Sequence, residues 1–169
     1  MRYYDEIYSE VIPFNFIKYI IFLEGGMGVA FLILYIMQLT GSLNVEDDLP
    51  GWFFLIMAIV MLAVAVFLFS LTKLRLGITS DSLRVSFGFI KFKIPLDGIE
   101  AVYTDEKSSL KYGGWGVRLW KQKEGRVLAY TTIGYKRVVL ELKEHKYKKF
   151  VFSTAHPEEV VNIIKQHLR

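Results

Sequence analysis

The chain has 169 residues, 53% of them hydrophobic, no cysteine and a formal net charge of +4. Its mean hydropathy of +0.32 asks for a buried or lipid-facing segment, since soluble domains of this size are seldom so apolar. The lack of cysteine excludes disulfide frameworks, thiolate metal sites and cysteine nucleophiles. The charge is unevenly divided. Residues 1–72 hold two basic and seven acidic side chains, whereas residues 73–169 hold nineteen and ten. The domains expected from this division are a membrane anchor over 1–72, with helices at about 17–39 and 51–72, and a basic unit over 73–169.

Residues 1–13 (MRYYDEIYSEVIP) carry Ile7, Val11 and Ile12 at roughly helical spacing. They predict a short interfacial helix ended by Pro13, or a frayed terminus. The stretch is acidic where a secretory signal is basic. Tyr19 to Leu39 then gives 21 residues, enough to cross a hydrocarbon core of about 30 Å at about 1.5 Å per residue. Lys18 can snorkel to the headgroups. Glu24 is an intramembrane polar residue: it is a proton or cation site, a contact with the second helix, or a carboxyl that sits near the interface or is neutral and hydrogen-bonded. Gly26 and Ala30 form a small-xxx-small pair that Ala58 and Ala65 of the second helix can meet, which predicts a helical hairpin.

Residues 40–50 (TGSLNVEDDLP) connect the helices and hold no Lys or Arg, only Glu46, Asp47 and Asp48. Arg2, Lys18, Lys73 and Arg75 flank the opposite helix ends. The positive-inside rule then predicts a multi-pass protein of the plasma membrane with both termini cytoplasmic. Trp52 to Leu71 is twenty residues without a charge.

After Leu71 the period becomes two. Lys73 to Thr79 alternates, and Thr79 to Ser82 reads as a turn. Leu83, Val85 and Phe87 face a core, with Arg84 and Ser86 outward; Phe92 and Ile94 alternate with Lys91 and Lys93 in the same way. Ile99 to Tyr103 is the next strand. Trp115 to Lys121 and Arg126 to Thr132 make a hairpin around Lys123-Glu124-Gly125. A second hairpin joins the Val138–Leu142 strand to Tyr147–Ser153 across Glu144-His145-Lys146. Pro157, Glu158 and Glu159 open a final helix whose apolar stripe is Val160, Val161, Ile164 and Leu168. The fold class is α+β: a two-helix transmembrane hairpin, then about seven strands in a bent sheet or barrel with one C-terminal α-helix.

The run ITSDSLRVSFGFIKFKIPLDGIEAV, then GGWGVR at Gly113 to Arg118, then AHPEEVVNII, resembles the bacterial pleckstrin-homology-like (PH-like) domain proteins. Many of these carry the domain after a two-helix membrane hairpin. The resemblance implies a seven-stranded, partly open β-barrel capped by the C-terminal helix, and implies little about activity. One departure matters: the first strand loop, Thr79-Ser80-Asp81-Ser82, lacks the basic residues of phosphoinositide-binding pleckstrin domains.

Chemistry finds few footholds. Gly113-Gly114-Trp115-Gly116 has no following Lys-Ser/Thr, so it reads as a turn with a tryptophan anchor, not a phosphate loop. His145, His156 and His167 have no ligand spacing, and Ser108, Ser109, Ser153 and Thr154 have no nucleophile setting. No catalytic residue, metal or cofactor is expected. The binding candidates are Lys136, Arg137, Lys143, Lys146, Lys148 and Lys149, which cluster on one predicted hairpin, together with Arg118. The hairpin lysines face a membrane or acidic partner, or simply discourage strand-edge pairing. The expected function is that of a non-enzymatic integral membrane protein whose cytoplasmic domain binds protein partners or the anionic leaflet. Anionic lipids, without specificity, other membrane proteins and self-association are the expected partners; nucleic acid is not. The alternative is a subunit of a small-solute or ion transport complex using Glu24 and the glycine-rich first helix.

Overall fold

A computed structural model describes residues 6–42, 49–105, 114–123, 125–143 and 145–168. Arg2, the acids Glu46 to Asp48, Ser108, Ser109, Gly113, Glu124 and Glu144 lie outside the described residues. The chain divides into two compact units: Met1–Phe14 with Lys73–Arg169, and Asn15–Thr72.

The smaller unit is a pair of helices, α1 (Ile17–Leu39) and α2 (Gly51–Ser70). Both are long and apolar enough to cross a membrane, with mean hydropathies of 2.2 and 2.9. Only 6% and 17% of their most apolar windows are buried, which is unlike the core helix of a soluble protein. Gly41 ends α1 at φ 70°, where Ser42 N–H donates to Met37 O at 2.9 Å and Gly41 N–H to Gln38 O at 3.1 Å, closing the last turn. The helices pack as the expected hairpin, and Ala58 and Ala65 are buried in it. The small residue that α1 brings is Gly28, not Gly26. A Cβ at Gly28 would come within 2.9 Å of Leu62 Cγ, whereas Gly25 and Gly26 face open space. Phe31 and Phe54 meet across the pair with ring centroids 6.4 Å apart.

The larger unit has nine strands among the described residues, in two open sheets. The first sheet is an antiparallel meander of β1 (Glu6–Pro13), β2 (Lys73–Thr79), β3 (Ser82–Phe87) and β4 (Ile90–Pro95). The second contains β5 (Ile99–Asp105), β6 (Gly116–Gln122), β7 (Gly125–Thr131), β8 (Lys136–Leu142) and β9 (Lys149–Thr154), in the order β5-β8-β9-β7-β6. Only β7 and β9 pair in parallel among the described strands. Helix α3 (Pro157–His167) follows, burying Val160, Val161 and Ile164 as its stripe predicts; Leu168 stays half-exposed just past its end.

Two expectations change here. Where about seven strands in one bent sheet or partly open barrel were expected, the described strands number nine and form two sheets that are not closed. Over its described residues, 6–13, the N-terminal segment is not a helix: it is β1, paired with β2 from Pro13↔Lys73 through Ser9↔Gly77. Its β-branched residues suit a strand once a partner exists, and that partner lies beyond both helices in sequence. Ile12 is buried while Ile7 and Val11 point outward, the period of two that the helical reading missed.

Aromatic contacts knit this unit together. Phe92 of β4 meets Phe150 of β9 at 4.8 Å. Trp115 stacks on Phe14 at 4.9 Å and stands edge-on to Phe87 at 5.8 Å, the anchoring role its sequence setting suggests. Glu10 makes the most consequential polar link. Its carboxylate accepts from the Thr154 hydroxyl, from Ala155 N–H at 2.7 Å and from the Tyr8 hydroxyl at 3.0 Å. Thr154 Oγ1 in turn accepts His156 N–H at 3.2 Å, so this network holds the turn between β9 and the start of α3. Burial first, then Glu10, pushes the Tyr8 hydroxyl up to about 12, so it remains a donor at neutral pH.

Two outcomes follow from this arrangement. Joining Phe14 to Thr72 through Asn-Gly removes the helices and leaves β1 in place; this unit is expected to fold and unfold cooperatively, whereas fragment 73–169, with β2 exposed as an edge, aggregates or melts lower by circular dichroism. In the joined unit, Glu10→Ala is expected to cost about 2 kcal/mol in urea unfolding, and Glu10→Gln less.

Candidate binding surface on the four-stranded sheet

The alternation of β2, β3 and β4 puts Leu74, Leu76, Leu83, Val85 and Ile94 inward, all buried. Their neighbours Lys73, Arg75, Arg84, Lys91 and Lys93 point the other way, and all five are exposed. Register gathers them. Arg75 pairs with Ser86, and Ser86 with Lys91; one row on, Gly77 pairs with Arg84 and Arg84 with Lys93. With strands about 4.8 Å apart and alternate residues about 6.6 Å apart, the five cations lie within roughly 10 by 13 Å. Val11 and Ser9 of β1 extend the two rows without adding charge. Among the described residues, the Glu6 carboxylate reaches this face, its Oε1 3.4 Å from where a Gly77 Cβ would be.

Such a face does not serve stability. Arg84 and Lys93 stand directly opposite each other, and like charges so placed are destabilising. Protection of an open edge accounts for lysines on β4 but not for arginines on the interior strands β2 and β3. The field is felt at the far turn. Asp81 is held below its ordinary value of 3.8, first by the Thr79 hydroxyl at 2.9 Å and its own backbone, then by Lys93 and Arg84.

The cations singled out from sequence are placed differently. The β8–β9 hairpin forms, but Lys136 and Arg137 begin β8 whereas Lys143, Lys146, Lys148 and Lys149 lie at its other end, roughly 20 Å along the strand. Arg137 is only 5% exposed. Lys149 pairs with Glu141 at 3.2 Å, and the same Glu141 oxygen accepts from the Tyr103 hydroxyl at 3.2 Å. Lys146 Nζ sits 5.7 Å from the Tyr147 ring centroid. The Lys148 stem lies against Gly125, its Cγ 2.7 Å from a Cβ built there. Lys143 and Arg118 are exposed, the latter on the edge strand β6 opposite Ala129. Glu24 sits half-buried on α1.

The histidines stay apart in role: His145 stands edge-on to Phe92 at 5.6 Å, His156 precedes α3, and His167 Nδ1 lies 2.9 Å from Ile163 O. Among the described residues no three His, Asp or Glu converge as a metal site. A cleft of about 340 Å³ beside the start of α3 is lined by Lys136, Ala155, His156, Pro157, Glu158 and Glu159, where one cation faces two acids. Sequence reading missed the sheet face because it placed Arg84, Lys91 and Lys93 outward one strand at a time. Register across β2, β3 and β4 was the absent information.

No family model, curated protein or solved structure matches this chain.

Removing two of the five cations tests their mutual field. In Arg84→Gln/Lys93→Gln, the Asp81 carboxyl is expected to titrate closer to its ordinary value, yet still below it because Thr79 remains, as followed by NMR. The wild-type depression means Asp81 adds stability above pH 3.8 that is lost as pH falls through its folded value. The double variant should show a smaller loss in that range.

Proposed function

We propose that this is a non-enzymatic membrane protein whose β-rich unit lies in the cytoplasm and applies its basic sheet face to the anionic leaflet. In this reading α1 and α2 span the plasma membrane and the acidic connection lies outside. The observation that carries it is the set of five exposed cations on β2, β3 and β4, on the same sheet whose first two strands continue directly into the helices. Attraction of Lys and Arg to an anionic leaflet is worth about 1 kcal/mol each and falls away within a Debye length, about 8 Å at physiological salt.

The β-rich unit is further proposed to be a PH-like module. Setting aside the β6–β7 hairpin leaves the β1–β4 meander, an antiparallel β5-β8-β9 set and the C-terminal helix. That gives the seven strands and helix of the resemblance in number, with three departures: β1 lies outside the run that carries the resemblance, the membrane helices enter between the first two strands, and the hairpin set aside contains β6, the strand that continues from Gly113-Gly114-Trp115-Gly116.

The joined soluble unit makes this testable by co-sedimentation with phosphatidylcholine vesicles, with and without phosphatidylglycerol, across a salt series. Binding is expected only to the anionic vesicles and should fade with salt. Lys91→Gln/Lys93→Gln should weaken it roughly thirty-fold, whereas Lys146→Gln/Lys148→Gln, on the far hairpin, should change it little. A folded unit that ignores anionic vesicles at low salt would remove the leaflet reading and make this face a site for an acidic protein.

A further inference from the structure

The β3–β4 hairpin turns in two residues, Gly88 and Phe89, between the register partners Phe87 and Ile90. Gly88 has φ 58°, a conformation that favours glycine, so the placement of Phe89 at the tip is built into the backbone. Short hairpin turns favour Asn, Asp, Gly and Ser. Here Phe89 is 77% exposed and Ile90 40% exposed. Burial of a phenylalanine is worth roughly 1.5–3 kcal/mol, which the folded unit by itself forgoes.

Topology says where this tip lies within the sheet. Phe87 pairs with Leu74, next to Lys73, and Lys73 pairs with Pro13. The chain reaches α1 at Ile17 soon after Pro13 and leaves α2 at Ser70 just before Lys73. The tip is therefore at the end of the sheet from which both helices depart, two strands or roughly 10 Å from Lys73. Lys73 and Lys91 flank it, both exposed. A second apolar turn lies at this end: Ile133, 55% exposed, comes two residues after Thr131, whose hydroxyl donates to Gly114 O at 2.7 Å beside the Phe14-stacked Trp115.

We propose that the Gly88–Ile90 tip is a membrane wedge: Phe89, with Ile90 beside it, enters the boundary between headgroups and acyl chains, and Lys73 and Lys91 meet the lipid phosphates. Apolar side chains ringed by lysines bind this zone because it buries the ring and leaves the ammonium groups hydrated among anions. The wedge rests on the reading that α1 and α2 span a bilayer. It adds the point at which the β-rich unit is held against that bilayer, and it supplies an apolar contact that salt does not screen.

The chain has no cysteine, so Phe89→Cys introduces a single thiol for a polarity-sensitive fluorophore in the full-length protein. Asp97→Cys, exposed in the turn beyond the far end of β4, is the control. In phosphatidylcholine vesicles with added phosphatidylglycerol, the Phe89 label is expected to shift blue, to be quenched by shallow spin-labelled lipids and to be shielded from iodide. The Asp97 label should behave oppositely. With the reporter moved to Ile90→Cys, Phe89→Asp should return the signal to water and Phe89→Leu should not. Equal iodide access at both sites overturns the wedge, as does shielding without lipid quenching that grows with protein density, which would mean a second copy covers the tip. Insertion that is the same in neutral vesicles upholds the wedge while the charge-driven leaflet reading fails. Salt-sensitive vesicle binding by the basic face with Phe89 still in water overturns the wedge and leaves that reading standing.

Discussion

The pairing of Pro13 with Lys73 organises this molecule. An antiparallel ladder fixes both ends of a strand pair, so whatever joins them behaves as a loop. Here that loop is the helical unit Asn15–Thr72, whose two helices are long and apolar enough to cross a membrane. The chain therefore passes between the β-rich unit and the helical unit twice, at the ends of two strands that pair with each other. The Glu10 network extends the constraint, because the strand that leads into α1 also holds the β9–α3 junction through Thr154 and Ala155. A change at either end of β1 is thus felt in both sheets.

Much of this was legible in the sequence, and the reasons are physical. Helix α2 is a continuous apolar run and α1 one broken only by Lys18, Glu24 and Gln38, both of a length that few other structures need. The strands after Lys73 declare themselves by alternation, and both hairpins in the second sheet are found where their turns predict. Strand β1 was not legible because a strand needs a partner, and its partner is separated from it by the whole helical unit. For the same reason the parallel contact between β7 and β9 could not be read: Ala129 and Val151 carry no local mark of being neighbours.

Binding residues divide along the same line. The lysines of the β8–β9 hairpin stood out because they are close in sequence, yet the fold spends several of them on Glu141, Tyr147 and the space over Gly125. Arg75, Arg84 and Lys91 are scattered in sequence and are brought onto one face by register. Sequence proximity measures charge density along the chain, but a flat partner responds to charge density over a surface. In a sheet these differ, because neighbours across strands are about 4.8 Å apart whatever their separation in sequence.

The proposed function also explains why charge and an apolar tip occur together. Five cations at about 1 kcal/mol each give at most about 5 kcal/mol, a dissociation constant on the order of 0.2 mM. A short tether supplies an effective concentration in the millimolar range, so the basic face would be on the leaflet most of the time but not firmly. Charge attraction to a fluid layer of mobile anions also has little preference for one orientation. A phenylalanine entering the interface adds roughly 1.5–3 kcal/mol that salt does not screen, enough to multiply the ratio of bound to free about ten-fold or more. It adds that at one point on the sheet. Cations alone would make the unit hover; on the proposed reading, Phe89 at the β3–β4 turn would give that attraction one fixed point of contact.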